Sequence, residues 1–350
     1  MASFDEACIA TIHGFCRQVL RDNAFDSELP VDAEVLIDPG GLQRELAEDF
    51  WRHHLQAADP LLATLARRQS LLPADLARLL ARITRQPGLR LLPEATGSLP
   101  MSSAAVTSGC QAALAAWPEA RGRVTGLLRS HPGLSRDKST GLSETRIDEM
   151  AAWLDDATAS GVVTTAAIDA LCELSAASIA DRHKPSAKVR YPADAWHESC
   201  GVFAVACEQW TLAVRAAWLA FAAQESGPRK SARKVITFDD MLAYTHAALV
   251  RPQGEGLVAA IRQRWQAALI DEFQDTDALQ YAIFWRCFAT PTHRLMLIGD
   301  PKQAIYGFRG ADLFTYLKAK REVATAAEPR LFTLRRNFRS SCALVDAVNA

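Results

Sequence analysis

Apolar residues along this chain recur at two different periods, and the change between them falls near Ile236. Between Leu42 and Arg85 the spacing is helical: Leu46, Phe50 and Leu55, then Leu61, Leu62 and Leu65, then Leu76, Leu79 and Leu80. Further helices are expected over roughly 110–130, 145–180 and 194–225, rich in alanine and punctuated by Trp117, Trp153, Trp196, Trp210 and Trp218. No charged or glycine-rich loop adjoins those tryptophans, so they read as core residues and not as base-stacking platforms. At the start of the chain, Ile9 to Ile12 reads as a short strand, followed by a helix from about Gly14 to Leu20. Residues 87–109, with their prolines, glycines and serines, read as a loop. Polar segments at 131–144 and 182–193 read as mobile, and a third at 224–234 precedes Ile236.

Beyond Ile236 short apolar runs alternate with helical ones. The pattern predicts a strand at 267–270, a helix at 278–289, a strand at 294–298, a helix at 312–323, a strand at 331–334 and a helix at 340–349. Alternation of this kind implies a parallel α/β sheet, with ligands expected at the carboxyl ends of the strands.

Composition narrows the class. A chain of 350 residues with 49% hydrophobic content is long enough to bury more than one core. The apolar runs are too short to span a bilayer, and no basic start precedes an apolar stretch, so neither a membrane segment nor a signal peptide is read. Eight cysteines without a C-x-x-C pair suit reduced thiols in a cytoplasm. His13 and Cys16 have the spacing of half a metal site, but no second half follows. With a net charge of −1, nucleic-acid binding would have to rest on local basic patches. Three are visible: Arg182, Lys184, Lys188 and Arg190; Arg229, Lys230, Arg233 and Lys234; and Arg330, Arg335, Arg336 and Arg339. Any one of them also reads as a solvated loop or helix end.

The candidate chemistry lies in three short stretches. The run Ala267-Ala268-Leu269-Ile270 delivers Asp271 and Glu272 to a strand end. Paired carboxylates there suit magnesium-nucleotide hydrolysis, one supporting the Mg²⁺ shell and the other orienting and deprotonating water. A bare Asp-Glu could equally open a helix, where acidic residues are favoured; that reading leaves Gln274, Asp275 and the second motif unexplained. In the second motif, Leu295 to Ile298 is apolar, Gly299 permits a tight turn, and Asp300 and Gln303 follow at the same edge. Gln303 is placed to sense a γ-phosphate. Tyr306, Phe308 and Arg309 come next, between Gly307 and Gly310, and suit stacking on unpaired bases or plugging the core beneath the loop. In the third stretch, Thr333–Ser341, Arg339 could grip a phosphate bidentately and Phe338 offers a face to an adenine. The run GLSRDKST (133–140) mimics a phosphate loop but lacks the glycine before Lys138 and any strand feeding it.

DEFQDTD, GDPKQAIYGFRGAD and LRRNFRS resemble motifs II, III and IV of superfamily 1 DNA helicases of the UvrD/Rep type. TIHGFC (11–16) resembles motif Ib, and ITFDDML (236–242) the segment re-entering the motor core. Within that superfamily, TIHGFCRQVLRDNAFDSE and GDPKQAIYGFRGADLFTYLKA are most similar to the exodeoxyribonuclease V beta-subunit family. The resemblance implies an α/β fold: a RecA-like parallel-sheet P-loop NTPase motor core, incomplete in this chain, with a large all-α insertion. It implies motor-domain residues at 1–25, a helical insertion at 26–234, the first motor domain continuing over 235–325, and the start of a second at 326–350. ATP and Mg²⁺ would be its substrate and cofactor: Asp271 at Mg²⁺, Glu272 as base, Gln303 and Arg339 at the γ-phosphate, Phe338 on the adenine. Thr11, His13, Tyr306, Phe308 and Arg309 would meet DNA, and Phe308 stands where many relatives carry tryptophan. Single-stranded DNA, duplex ends and the gamma and alpha subunits of exodeoxyribonuclease V would be partners, in the cytoplasm.

One departure matters. No G-x-x-x-x-G-K-[ST] sequence occurs, and the later helicase motifs and nuclease domain are absent. The chain therefore reads as an internal segment of a longer polypeptide, expected to be inactive alone. A Rep-like or AddA-like motor and a non-catalytic module binding DNA or a partner stay open as alternatives.

Overall fold

A computed structural model describes residues 8–23, 33–56, 59–84, 103–135, 142–305, 312–325, 330–334, 336 and 338–349. In chain order the elements are α1 (Ile12–Asp22), β1 (Glu34–Val35), α2 (Gly40–His54), α3 (Pro60–Arg68), α4 (Pro73–Thr84) and α5 (Ala104–Ser130). Next come α6 (Glu144–Ser160), α7 (Thr165–Glu173), α8 (Ala176–Asp181), α9 (Ala195–Ala232), β2 (Val235–Ile236), α10 (Phe238–Val250) and α11 (Gly254–Arg264). The chain continues with β3 (Ala267–Ile270), a 3-10 turn (Phe273–Asp275), α12 (Ala278–Phe288) and β4 (Arg294–Leu297). A second 3-10 turn (Pro301–Gln303), α13 (Leu313–Ala324) and α14 (Cys342–Asn349) complete it. These elements form two compact units.

The first unit spans Glu34–Thr84 and the described residues of Leu89–Ile236. Its opening and closing strands, β1 and β2, pair in parallel, Glu34 with Val235 and Val35 with Ile236, so its helices begin and end at one place. The long helices α5 and α9 pack closely because residue 109 is glycine: a Cβ there would lie 3.2 Å from Phe203 Cα. Trp117, Trp196 and Trp218 are buried, and each indole N–H finds an acceptor: Asp155 Oδ1 at 2.8 Å, Ala113 O at 2.9 Å and Leu76 O at 3.0 Å.

Sequence-based expectations fail where tertiary contacts override local pattern. The 224–234 segment is helical: α9 runs through Pro228 to Ala232. There Arg229 reaches Asp49 (2.6 Å) and Glu45 (3.1 Å), and Arg233 reaches Glu45 (2.6 Å), offsetting the hydrogen bond that proline forfeits. The loop expected through 109 ends earlier, because α5 starts at Ala104 and buries Val106 and Cys110; residues 85–102 lie outside the described set. The helix expected at 145–180 is three helices, broken at capping residues Thr164 and Ser175, whose hydroxyls accept from Ala167 and Ser178 N–H. The described parts of 131–144 and 182–193 are tied together by Leu134 pairing with His183 and by Lys184 N–H donating to Gly133 O at 2.9 Å.

The second unit holds the described residues of Met1–Ala33 and Thr237–Ala350. Here β3 and β4 are parallel neighbours, Ala267 with Arg294 through Ile270 with Leu297, joined by α12 as a strand–helix–strand crossover. Tyr281, Phe284 and Phe288 of α12 are buried, and Phe15 of α1 lies 5.1 Å from Phe284 and 5.4 Å from Trp265. Two expected strands do not form. Residues 9–12 lead into α1 because the Thr11 hydroxyl accepts the Gly14 N–H (3.1 Å) and starts the helix instead. Residues 331–334 form no strand: no neighbour among the described residues pairs with them, and Leu334 is 95% exposed. No described helix is long and apolar enough to cross a membrane.

Two outcomes follow for stability. Trp218→Ala removes a fully buried ring and its indole hydrogen bond to Leu76 O; chemical denaturation should show a loss of about 3–5 kcal/mol. His197 is buried, its Nδ1 2.8 Å from Asp194 Oδ1 and its Nε2 3.2 Å from Tyr191 Oη, with Arg123 nearby. Burial, helped by the Arg123 charge, pulls its pKa down from 6.5 to about 4. The unfolded chain then binds a proton that the folded chain refuses, so stability should fall as pH drops from 6.5 towards 4, by about 3 kcal/mol in all. Urea melts across that range should show the slope for the wild type and a flatter one for His197→Gln.

Candidate functional site

The two parallel strands β3 and β4 end side by side, and the backbone ladder continues one step past them. Ile298 N–H donates to Ile270 O and Phe273 N–H donates to Ile298 O, both at 2.8 Å. To bring Phe273 back to that carbonyl the chain turns sharply at Glu272, which adopts φ 49° and ψ 42° in the left-handed region. Residues with a Cβ seldom sit there. The turn leaves Asp271 and Glu272 exposed at the strand end, with Glu272 N–H donating to Asp271 Oδ1 at 3.0 Å.

Gln274 is buried within this turn. Its Oε1 accepts the Asp300 N–H at 3.0 Å, and its Nε2 donates to Glu272 Oε2 at 2.6 Å. One side chain therefore joins the turn after β3 to the turn after β4. Gly299 makes room for it: a Cβ at that position would stand 2.5 Å from Gln274 Oε1. The second turn has its own polar bracing. Asp300 Oδ1 accepts the Lys302 N–H at 3.0 Å, and Gln303, exposed, reaches Asp300 Oδ2 with its Nε2 at 3.4 Å. Tyr316 of α13 donates its hydroxyl to Gly299 O at 3.3 Å.

Beneath the turn, Phe273 is buried against Tyr281 and Tyr316, with ring centroids 5.7 and 5.9 Å away. Thr276 donates its hydroxyl to Phe273 O at 2.7 Å and accepts Asp312 N–H on its carbonyl at 3.2 Å. Asp277 caps α12 through Gln280 N–H at 2.8 Å; burial raises its carboxyl above the usual range, against the pull of the backbone donors.

Of the residues singled out from sequence, Asp271, Glu272, Asp300 and Gln303 come together at this edge. Thr11 and His13 lie at the start of α1. The Thr11 hydroxyl is committed to the helix cap, and the His13 ring packs edge-on to Phe238 at 5.3 Å. Burial lowers the His13 pKa while Asp239 and Asp277 oppose the shift. Cys16 is fully buried and its thiol is pushed up to about 11, which suits packing and not ligation. Phe338, 88% exposed, and Arg339 lie on the surface before α14. Tyr306, Phe308 and Arg309 fall outside the described residues. Two of the basic patches are partly spent on internal carboxylates: Arg229 and Arg233 as above, and Arg182 on Glu173 at 3.2 Å.

The bridging by Gln274 was not legible from sequence, although the residue stands inside the acidic motif. The available signal was Gly299, since glycine directly after an apolar strand marks a place where another group approaches the backbone closely. For Mg²⁺ the donor set fits. That ion is usually held by one or two carboxylates together with substrate phosphates, not by an all-protein cage. Asp271 is exposed and commits only Oδ1 to the turn, while no three His, Cys, Asp or Glu side chains converge among the described residues.

Comparison with known proteins shows the family. The family described as UvrD/REP helicase N-terminal domain matches residues 1–324. The RecBCD enzyme subunit RecB of Escherichia coli K12 is 35% identical over 353 residues, covering 99% of this chain and 29% of that protein. Its namesake from Haemophilus influenzae is 30% identical, covering 99% of this chain and 31% of that protein. The RecB subunit of Mycobacterium tuberculosis H37Rv is 43% identical over 136 residues, 39% of this chain. The chain thus spans about a third or less of the curated relatives it matches. The family match runs through both strand-end turns, and the chain, RecB-like in sequence, belongs to the UvrD/REP helicase N-terminal domain family.

Proposed function

We propose that this chain supplies the ATP-hydrolysing and strand-coupling turns of a DNA helicase of the exodeoxyribonuclease V type, which unwinds and degrades duplex ends in recombinational repair. The observation that carries the reading is the pairing of Asp271 and Glu272 with Asp300 and Gln303 at adjacent parallel strand ends, tied by Gln274. In this reading residues 1–25 and 235–325 belong to the first motor domain, 26–234 form a helical insertion, and 326–350 open the second motor domain. The gamma and alpha subunits of such an enzyme are the protein partners, and single strands and duplex ends the nucleic-acid ones.

Asp271 would hold Mg²⁺, which when bound neutralises charge on the β- and γ-phosphates. Glu272 accepts a proton from the attacking water through its exposed carboxylate. Gln303 donates from its amide to a γ-phosphate oxygen, and Arg339 adds a bidentate guanidinium contact there. Phe338, with its ring uncovered, stacks on the adenine. Thr11, His13, Tyr306, Phe308 and Arg309 would be the residues that meet the DNA strand. Because the sequence has no G-x-x-x-x-G-K-[ST] loop to cradle the phosphates, these 350 residues by themselves are inactive. The same feature favours a second reading, a non-catalytic module that binds DNA or a partner.

The test uses the protein as its own cells make it, with any subunits that co-purify. Glu272→Gln should lower kcat for strand-stimulated ATP hydrolysis by about 10²–10⁴ with nucleotide affinity retained. Arg339→Ala should lower it by about 10³ or more. Unchanged turnover in Glu272→Gln would sink the reading. Binding of single strands that weakens steeply with salt, with no turnover in the wild type, would favour the module.

A further inference from the structure

Gln274 has both ends of its amide committed, and its orientation is fixed by what it meets. The Asp300 backbone N–H can only donate, so the group facing it at 3.0 Å is Oε1, and Nε2 must then face Glu272 Oε2 at 2.6 Å. The side chain is 2% exposed, so neither end competes with bulk water. Glu272 is held by a backbone turn in the left-handed region, which aims the residue but leaves its side-chain torsions free. The amide removes that freedom. On the far side the same amide is anchored to the residue that braces Gln303.

We infer that Gln274 is a positioning residue: its amide fixes the Glu272 carboxylate in its working orientation and indexes it to the turn at Asp300. This inference rests on the reading of Glu272 as the base. Exchanging that donor for an acceptor abolishes the hold on Glu272 with almost no change in shape.

Two variants of the protein purified with its co-purifying subunits test this. Gln274→Glu keeps an acceptor for the Asp300 N–H but sets an oxygen against Glu272 Oε2 where a donor stood. Strand-stimulated kcat should fall by about 10² at neutral pH. KM for ATP should change by less than about three-fold, because ground-state binding is not what is lost. Gln274→Met keeps the length and removes both hydrogen bonds. It should lose kcat to a similar degree, which ties the loss to the missing hydrogen bond and not to an added charge. Wild-type kcat in both variants would overturn the inference. So would a kcat loss accompanied by a rise in KM for ATP of more than about three-fold and a lowered melting temperature, since that marks a purely structural role. Glu272→Gln in parallel keeps the two claims apart: if it is active, the reading of Glu272 fails. If it is inactive while the Gln274 variants are normal, only the present inference fails.

Discussion

The parallel pairing of β3 with β4 governs where every polar group of the site stands. Parallel strands present their carboxyl ends on one side, so whatever follows Ile270 and Leu297 is delivered to a common edge. The ladder holds that edge in register by running one residue further, through Ile298 to Phe273. Closing that last step forces Glu272 into a left-handed backbone, at a cost of roughly 1–2 kcal/mol. Burial of the Phe273 ring between Tyr281 and Tyr316 is worth about as much or more, and it occurs only if the turn closes. An exposed acidic residue in a strained turn is thus maintained by an apolar residue beside it.

The helical unit solves a different problem. Its strands β1 and β2 bring residues separated by two hundred positions into one parallel pair, so everything between them departs from and returns to the same place. Its basic residues are used inwardly. Arg229 and Arg233 hold α9 to α2 through Glu45 and Asp49, whose carboxyls these arginines keep below their usual range. Those charges are therefore poor candidates for a phosphate backbone, although in sequence they form the densest basic run of the chain.

Strands 267–270 and 294–298 and the helices following them were legible because apolar runs of that length, bounded by Asp, Gly and Pro, have few other solutions. The carboxylates and Gln303 were legible for the same reason: they stand where strands end. Residues 9–12 and 331–334 misled because β-branched or apolar content alone does not make a strand. Thr11 finds a cap, and Leu331 to Leu334 find no pairing strand among the described residues. The end of α9 was hidden because Gly227-Pro228 signals a break locally, while a partner some 180 positions earlier helps hold the helix there.

Gln274 shows why positioning is harder to read than chemistry. A base or a metal ligand must be of a particular type, so its identity narrows the options; an amide that bridges two turns is identified only by what lies at each end. Its energetics are asymmetric in the same way. Fully satisfied, the bridge contributes roughly 1 kcal/mol per hydrogen bond, more for the one to the charged carboxylate. With the amide removed, the Asp300 N–H loses its acceptor and Glu272 loses its only side-chain restraint among the described contacts. An apolar substitute of equal volume would therefore leave the fold intact and the carboxylate free to turn. The demand for this amide comes from the orientation of one side chain, and Gly299 is the trace that demand leaves elsewhere in the chain.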